Sequence, residues 1–389
     1  MELLDEMNRK NFPTLFFLPI YSFRNCQIHQ NDVIPDPLGS PRGLRLFLSS
    51  QDPYPRLRGH RSLSVYPRLS LSPLFVDNNI LSSLLWVGLT SGLVLQERGH
   101  VVDIWAKDLP PNTTSNKAGA YWFPYNIGPV SRVEKWAQDT YSYYSQVLQH
   151  DPQAACSPIP FVDFHNDDDG HHRPRFYESF VNGSRAGRRE ETAPGFTSST
   201  VFETFSIDVD ACLTYYVSKF RGRGGRITRR EVKQIDEAFG EYDIVVNCTG
   251  LGARDLFNDQ TLYAARGQTL LVRHNGHPCV SSVHNESVTY IIPRGDSIVL
   301  GGTFQKGNES VLVSEADTAD IIHRCAAIHP SFQRERLEIV SEKVGLRPCR
   351  PEVRLETETF HLGKKAVIHN YGHGELGPPS LTCAATTPP

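Results

Sequence analysis

Apolar residues recur at helical spacing over positions 89–95, and a separate apolar run, VVDIW, follows over 101–105. The first pattern predicts a helix that ends at Arg98-Gly99, and the second has the length of a buried strand. A helix that leads into such a strand is the second half of a βαβ unit, the arrangement in which many proteins bind a dinucleotide. The stretch 87–122 is therefore the candidate centre of a nucleotide site.

The first half of such a unit ends in a turn of the form G-x-G-x-x-G, whose glycines let the backbone approach the pyrophosphate. With Gly88 counted as the third glycine, the first two positions fall on Ser83 and Leu85. A leucine side chain then occupies space that the phosphates need. The sequence therefore predicts weakened phosphate binding at this turn.

Further along, the apolar pattern alternates between helical and strand spacing. It predicts a helix over 131–149, a strand over 202–207, a helix over 210–220, a strand over 226–232 and a buried strand that runs into a glycine turn over 242–253. Hairpin-like sequence such as IIPRGDSIVLGG, over 291–302, has no helical period. These patterns predict an α/β fold with a second, strand-rich part.

Composition narrows the class of protein. The chain has 389 residues, of which 39% are hydrophobic, so it can bury a sizeable core and suggests two domains. Its net charge of -3 argues against a nucleic-acid partner or a membrane-surface partner. No apolar run reaches the ~18 residues that a membrane span needs. Eight scattered cysteines without a CxxC spacing, and a beginning without signal-peptide layout, predict reduced thiols inside the cell.

Residues 1–77 differ in character from the rest. Proline, serine and arginine crowd together there without a sustained period, which predicts disorder or an extension outside the fold. Arginines at positions 56, 58, 61 and 68, with tyrosines nearby, suggest a nucleic-acid arm as the less favoured interpretation.

A second polar stretch, FHNDDDGHHRPRF over 164–176, contains three aspartates and three histidines. Adjacent identical side chains point in different directions, and glycine and proline interrupt any regular element. A set of metal ligands needs side chains that converge on one point. We therefore predict no metal site.

Five motifs follow one another in a characteristic order. They are YDIVVNCTGLGA (242–253), RGQTLLV (266–272), YIIPRGDSIVLGGTFQKGN (290–308), VGLRPCRPEVRLE (344–356) and VIHNYGHG (367–374). In this order and at these separations the chain resembles the D-amino-acid oxidase family, flavin enzymes that also include D-aspartate oxidase. The resemblance covers roughly residues 86–374.

The resemblance implies a discontinuous Rossmann-like FAD-binding domain and an α+β substrate domain whose mainly antiparallel sheet covers the flavin. By motif, the FAD domain takes 78–121, 210–262 and 351–389 and is incomplete at both ends. The substrate domain takes 122–209 and 263–350.

The chemistry that the resemblance implies is oxidation of a D-amino acid by hydride transfer from Cα to the flavin, with molecular oxygen as the final electron acceptor. Arg347, in GLRP, matches the arginine that binds the substrate carboxylate; a planar guanidinium offers two parallel donors to such a group. Tyr290 matches the tyrosine that assists it. Glu286 falls where a lid tyrosine is expected, and Glu375 falls where a glycine contacts the substrate.

The resemblance also assigns cofactor contacts, along the end of the second strand, a hydroxyl-rich turn and several backbone positions. They are Gly88, Ala106, Lys107, Asp108, Thr113, Thr114, Ser115, Gly119, Ala120, Tyr121, Val232, Gly250 and Gly374. Lys107 stands where an acidic residue usually binds the ribose. After His373 the sequence GELGPPS departs from the G-G-x-G turn and closing helix of the family.

The function that follows is FAD-dependent oxidative deamination of D-amino acids to 2-oxo acids, ammonia and hydrogen peroxide. Three alternatives stay open: an inactive remnant of the family, a carboxylate-binding module without flavin, and a D-aspartate oxidase. The resemblance implies a peroxisome, although the C-terminal Thr-Pro-Pro is no peroxisomal signal, so the cytoplasm is the alternative location. A homodimer is compatible with the resemblance.

Overall fold

One mixed sheet of 14 strands runs through the part of the chain that the structure describes. The structure is a computed structural model, and it describes residues 70–76, 84–124, 129–166, 175–274, 279–284 and 287–374. The strands are β1 (Ser70–Val76), β2 (Val101–Ala106), β3 (Cys156–His165), β4 (Arg185–Ala186), β5 (Ser198–Ile207), β6 (Arg226–Arg229), β7 (Ile244–Asn247), β8 (Tyr263–Arg273), β9 (Cys279–His284), β10 (Ser287–Arg294), β11 (Ser297–Gly301), β12 (Gln305–Lys306), β13 (Glu338–Phe360) and β14 (Lys365–His373). The α-helices are α1 (Leu84–Glu97), α2 (Val130–His150), α3 (Val209–Gly222), α4 (Asp236–Phe239), α5 (Ala253–Leu256) and α6 (Glu315–Ile328).

Five adjacent strands, in the order β14, β7, β1, β2 and β6, form a parallel half of the sheet. Helix α1 makes the crossover from β1 to β2, because parallel neighbours cannot be joined by a tight turn. The helix is mostly apolar, and Trp86, Val87 and Leu89 are buried where it packs against the sheet and α3. A helix with so many apolar residues needs protein packed around most of its surface.

Eight of the remaining strands form a mainly antiparallel half, in the order β4, β5, β3, β9, β10, β11, β8 and β13, and β12 pairs with β8 outside this order. One pair within it, β3 with β9, is parallel. A hairpin-type connection joins β10 to β11, as the 291–302 segment predicts, and β9 pairs antiparallel with β10. The predicted fold class, a Rossmann-like part plus a mainly antiparallel part, is confirmed.

Strand β13 joins the two halves. Its first part pairs with β8 and its last part pairs with β14, and the pairing with β14 shifts register between Cys349 and Arg354. Pro351 lies inside that irregular segment, and a proline has no N–H group to donate to a neighbouring strand. One long strand therefore passes from the antiparallel half into the parallel half, and its regular pairing is interrupted at this point.

The antiparallel half has two differently covered faces. On one face, α6 packs its Ile321 and Ile322 against Leu270 of β8 and Ile291 of β10. On the opposite face, the segment 114–124 crosses the strands near Ile292 and Gly345. We call these the α6 face and the site face.

Several sequence-based predictions can be compared with the described elements. The helices predicted over 131–149 and 210–220 are α2 and α3, each within two residues at either end. The strand predicted over 226–232 ends earlier, at Arg229, because the chain turns there toward α4. The assignment of 1–77 to a region outside the fold fails for Ser70–Val76, which forms β1 between β2 and β7. Strand β1 occupies the place between β2 and β7 in the parallel half.

Other predictions concern membrane-spanning helices, metal sites and free cysteines. No helix in the described ranges combines the length and apolar character that crossing a membrane requires. Within those same ranges no group of His, Cys, Asp and Glu side chains could hold a metal ion, and most of the 164–176 stretch lies outside them. The six described cysteines are buried free thiols, and burial raises the pKa of Cys156 and of Cys325 to about 12.

Candidate active site

The carboxyl ends of the parallel strands lie at one edge of the sheet, and they bring predicted cofactor residues together there. Ala106 ends β2 in register with the last residue of β1, Gly250 follows β7, and Gly374 follows β14. Ligands of open α/β sheets bind at this edge. The structure therefore places these three predicted positions where a dinucleotide site is expected.

The segment predicted to face the adenosine ribose is linked to the residues that follow β6. Lys107 Nζ lies 3.4 Å from a Glu231 carboxylate oxygen, and Asp108 lies 3.5 Å from the Arg229 guanidinium. Val232, one residue beyond Glu231, is buried. The two predicted adenosine segments, 106–108 and 232, thus lie side by side.

A turn of 3-10 helix, Thr114–Lys117, follows and presents two hydroxyl groups. Thr113 begins it by donating its hydroxyl to Asn116 Oδ1 at 2.6 Å, and Asn116 in turn donates to Asp210 Oδ1 at 2.6 Å. The hydroxyls of Thr114 and Ser115 are buried and have no hydrogen-bond partner among the described residues. Buried polar groups are nearly always hydrogen-bonded. Their lack of partners fits a polar ligand such as FAD at this turn.

The next segment, Gly119 to Tyr121, contains a backbone conformation that residues other than glycine seldom adopt. Ala120 has a φ of 49°, in the left-handed region that disfavours residues other than glycine. Its carbonyl accepts a hydrogen bond from Ile207 N at 3.0 Å, and Tyr121 bridges to Ser206 of β5. Contacts with β5 therefore hold the segment in this conformation.

Tyr290 lies on β10 with its ring against two glycines at the end of β11. A Cβ added to Gly301 would lie 2.2 Å from the ring, and one added to Gly302 would lie 2.5 Å from the Tyr290 hydroxyl oxygen. No real Cβ tolerates such distances. The pair Gly301-Gly302 is thus required for the position of the Tyr290 ring.

Arg347 lies on β13 with its guanidinium over Gly267 of β8. A Cβ added to Gly267 would lie 2.3 Å from Arg347 Nη1, which donates a hydrogen bond to the Thr303 carbonyl at 2.9 Å. Among the described residues Arg347 has no carboxylate partner. Four other arginines of β8 and β13 do have one: Arg266 with Asp317, Arg273 with Glu338, Arg350 with Asp259 and Arg354 with Glu356.

The two predicted substrate residues meet at one short segment. Tyr290 covers Gly301 and Gly302, and Arg347 binds the carbonyl of Thr303, the next residue. The predicted flavin segment reaches the same place, because a Cβ on Gly119 would lie 3.2 Å from the Tyr290 ring. The Tyr121 and Tyr290 ring centroids are 6.0 Å apart. The structure therefore brings the predicted substrate and flavin groups together.

Not every predicted position can be placed. Glu286, Glu375, Ser83 and the side chain of Leu85 lie outside the described residues. Gly88 lies inside α1 and is buried. Next to Gly374, whose N–H donates to the Pro348 carbonyl at 3.1 Å, burial lowers the pKa of His373 to about 3. That histidine is uncharged at neutral pH.

Two charged residues at this site, Arg294 and Lys117, were not predicted from the sequence motifs. Arg294 donates hydrogen bonds to the carbonyls of Ala118 and Gly119. Lys117 has its Cβ 3.2 Å from the position of a Cβ added to Gly345. The signal for Arg294 was its even spacing from Tyr290 along β10, which predicts that both side chains lie on one face.

Comparisons with known proteins agree with this arrangement. A family model described as FAD dependent oxidoreductase matches residues 86–384. The D-amino-acid oxidase of Dictyostelium discoideum is 39% identical over 294 residues, which cover 75% of this chain and 84% of that protein. The D-amino-acid oxidase of Rubrobacter xylanophilus is 36% identical and covers 75% and 88%. The D-aspartate oxidase of Homo sapiens is 30% identical and covers 71% and 82%.

Solved structures give the same fold at low sequence identity. Glycine oxidase from Geobacillus kaustophilus has a TM-score of 0.65 at 15% identity, over 81% of this chain and 93% of that one. L-proline dehydrogenase from P. horikoshii has a TM-score of 0.63 at 15% identity, over 81% and 91%. The family match extends over most of the sequence that contains the site. The chain therefore belongs to the family of FAD dependent oxidoreductases, and FAD is its cofactor.

Proposed function

We propose that this chain oxidises D-amino acids to 2-oxo acids, releasing ammonia and hydrogen peroxide. The substrate loses a hydride from Cα and a proton from nitrogen, and water then hydrolyses the imino acid. When bound, FAD accepts the hydride and passes two electrons to molecular oxygen, which takes two protons to become peroxide. The names of three similar proteins support D-amino acids as the substrate class.

The protein's own part is to bind and orient the substrate. Arg347 binds the α-carboxylate through two parallel N–H donors, and the Tyr290 hydroxyl donates to the same group. The Tyr290 ring, 7% exposed, keeps water from the reacting carbon. The observation that carries the proposal is the half-buried Arg347 guanidinium, which has no carboxylate partner among the described residues while its neighbours on β8 and β13 do.

We further propose the domain division that the motifs imply. The FAD-binding domain comprises 78–121, 210–262 and 351–389, to which the structure adds β1, and the substrate domain comprises 122–209 and 263–350. The register break of β13 beside residues 350 and 351 supports that boundary. The roles of Gly88, Ala106, Lys107, Asp108, Thr113, Thr114, Ser115, Gly119, Ala120, Tyr121, Val232, Gly250 and Gly374 in binding FAD belong to the same proposal.

The experiment measures flavin content and peroxide production with D-alanine, D-valine, D-aspartate and L-alanine. We expect activity with the D enantiomers only. The variant Arg347→Lys keeps the charge but loses the two-donor geometry, so we expect the KM for D-alanine to rise with flavin content unchanged. Arg273→Lys, at an exposed arginine on the same sheet, is the matched control and is expected to keep the original KM. A colourless protein that added FAD leaves inactive would contradict the proposal.

Neutral or apolar D-amino acids are the expected substrates, because an acidic side chain needs a second cation besides Arg347. One observation favours D-aspartate as a second candidate. The Cβ of Lys117 lies beside Gly345, which is two residues from Arg347 on the same face of β13. Lys117 has no ion pair within the described ranges. Lys117→Met would lower the rate with D-aspartate relative to D-alanine if this candidate is correct, and would leave the ratio unchanged if it is not.

Location and assembly complete the proposal. We propose an intracellular enzyme, peroxisomal or cytoplasmic, and the six described free cysteines support a reducing compartment. We also propose a homodimer. A fluorescent fusion localised in cells, and light scattering of the purified protein, test these two points separately.

A further inference from the structure

Arg294 contacts the backbone of the segment that is proposed to face the flavin. It lies on β10, four residues after Tyr290, so both side chains are on the site face. Its Nη2 donates to the Gly119 carbonyl and, at 3.5 Å, to the Ala118 carbonyl. One guanidinium group thus binds two successive carbonyls of a segment that has no regular structure.

Binding the carbonyls also orients the amide groups. The peptide bonds on either side of Gly119 are trans, and in a planar trans peptide the C=O and N–H bonds point in opposite directions. The N–H groups of Gly119 and Ala120 therefore point away from Arg294. Neither N–H group has a hydrogen-bond partner among the described residues.

The environment of Arg294 is unusual for an arginine that serves only stability. No carboxylate in the described part of the chain accepts a hydrogen bond from it, and its Nε has no partner there. Burial lowers its pKa from the ordinary value, while the charges of Asp208 and Asp210 act in the opposite direction. A partly buried cation without a bonded carboxylate costs stability unless other groups compensate it.

The segment itself needs to be held. Ala120 adopts a left-handed φ of 49°, which costs energy in a residue with a side chain, and a Cβ on Gly119 would meet Ile292 at 3.0 Å. Contacts with β5 hold the Ala120 carbonyl and Tyr121 on one side. Arg294 holds the preceding two carbonyls on the other.

We propose that Arg294 is a positioning residue that fixes the Ala118 and Gly119 carbonyls so that the Gly119 and Ala120 N–H groups donate to the bound flavin. The inference rests on the proposed function for the position of the flavin at this segment. Backbone donors fixed before the reaction stabilise negative charge where it develops, and that charge increases when the flavin is reduced. Arg294 therefore affects both the affinity for FAD and the ease of its reduction without touching the substrate.

The test uses the full chain, freed of flavin and titrated with FAD, with bound flavin measured by fluorescence and visible absorbance. For Arg294→Met we expect the Kd for FAD to rise on the order of 10- to 100-fold, the loss expected for hydrogen bonds to a charged group. We also expect a shifted flavin absorbance band and a lower reduction potential. Arg294→Lys, which keeps one charged donor, should recover most of the affinity and spectrum. Arg273→Met, at an exposed arginine, is the control and should match the original protein.

Two results would overturn the inference. One is an Arg294→Met protein with unchanged FAD affinity, spectrum and potential. The other is a flavin-free Arg294→Met protein that is destabilised, with Arg294→Lys destabilised equally and no better at binding FAD; that pattern describes a structural arginine. These readouts are independent of substrate turnover. A protein that binds FAD normally but oxidises no D-amino acid would end the proposed function and leave the Arg294 inference to be decided by its own measurements.

Discussion

The α6 face and the site face of the antiparallel half treat polar groups in opposite ways. On the α6 face, the Arg266 side chain is 2% exposed and bonds to Asp317 at 2.5 Å, to Gln268 at 2.7 Å and to the Leu312 carbonyl at 2.6 Å. Gln268 donates in turn to Thr318 at 2.8 Å. Each of these buried side chains has partners supplied by the protein.

The next residue of β8, Gly267, lies on the site face. Successive residues of a strand point to opposite faces, so Gly267 lies on the other side of β8 from Arg266. There the Arg347 guanidinium binds one carbonyl and no described carboxylate, and the Thr114 and Ser115 hydroxyls have no partner within the described chain. On the site face, the protein thus leaves buried polar groups without partners among the described residues.

This difference separates groups that stabilise the fold from groups that bind ligands. A satisfied buried network adds rigidity, and removing one member leaves the others buried without partners. A buried group that the protein does not satisfy costs stability and is explained when a ligand supplies the missing partner. The comparison predicts that substitutions on the α6 face change stability and that substitutions on the site face change binding.

The largest effect is expected for Arg266→Met on the α6 face. Removing the cation leaves the Asp317 carboxylate, the Gln268 amide and the Leu312 carbonyl without their shared donor. Breaking one side of a buried ion pair costs about 3–5 kcal/mol. Urea unfolding measures this loss, and Arg273→Met, which breaks only exposed ion pairs, is the control, with about 0–1 kcal/mol expected. Equal losses in the two variants would remove the distinction between the faces.

A smaller effect is expected for Gly267→Ala on the site face. The added methyl group would lie 2.3 Å from Arg347 Nη1, so the flexible arginine must move away from its present position. We expect the substrate KM to rise about tenfold or more, because a displacement of about 1 Å in a binding group has effects of that order. The free energy of unfolding should change far less than in Arg266→Met.

Gly222→Ala is the matched control for this substitution. Its added Cβ meets nothing within 4 Å, and the residue ends helix α3. Substrate KM should be unchanged in the control. An unchanged KM in Gly267→Ala as well would mean that the position of Arg347 does not matter for the substrate.

The smallest expected effect is a pH-dependent loss of stability caused by one histidine of β14, His373. His369 on the same strand provides the comparison. His369 has partners on both ring nitrogens, Asn247 and Glu358, whereas His373 Nδ1 has none among the described residues. Burial lowers the pKa of His373 to about 3. Between pH 6.5 and 3 the unfolded chain therefore binds a proton at this position that the folded chain does not bind. The free energy of unfolding falls with decreasing pH, by about 1.4 kcal/mol per pH unit for this one group.

His373→Asn tests this contribution, because the variant lacks the titrating group. Unfolding measured at pH 7, 6 and 5 should show a shallower loss of stability than in the original protein. His361→Asn, at an exposed histidine beside Asp236, is measured in parallel to show what replacing a surface histidine does to the same slope. The same slope in His373→Asn and in the original protein would contradict the assignment.

The sequence predicted most of the frame and part of the site. The apolar pattern of 89–95 and 101–105 predicted α1 and β2, and α2 and α3 were predicted in the same way. Burial of one face or run decides these elements locally. Strand β1 was missed, because Pro73 and the serines around it hide an apolar run whose place is set by its neighbours β2 and β7. Propensity is a weak guide where tertiary pairing decides the conformation.

The site residues were predicted through motifs, and contacts between distant segments were not. Arg347 and Tyr290 are in recognisable motifs, but nothing in either motif indicates that both meet the segment 301–303. The contacts that Arg294 and Lys117 make depend on the way the segment 114–121 crosses the sheet. Arg294 and Gly119, for example, are 175 positions apart in the sequence and are hydrogen-bonded. Such contacts follow from the three-dimensional path of the chain and have no local signal.

The central claim is that Arg347 binds the substrate carboxylate, and one comparison tests it most directly. The KM values of D-alanine and of D-alanine amide, which lacks the carboxylate charge, are measured for the original protein and for Arg347→Leu. We predict a strong preference for the carboxylate in the original protein. In Arg347→Leu we predict loss of that preference, with D-alanine weakened about a hundredfold or more, flavin retained and the amide little affected, because loss of such an ion pair costs about 3–5 kcal/mol. A variant that keeps the preference, or that loses folded protein without a selective loss for the carboxylate, would contradict the claim.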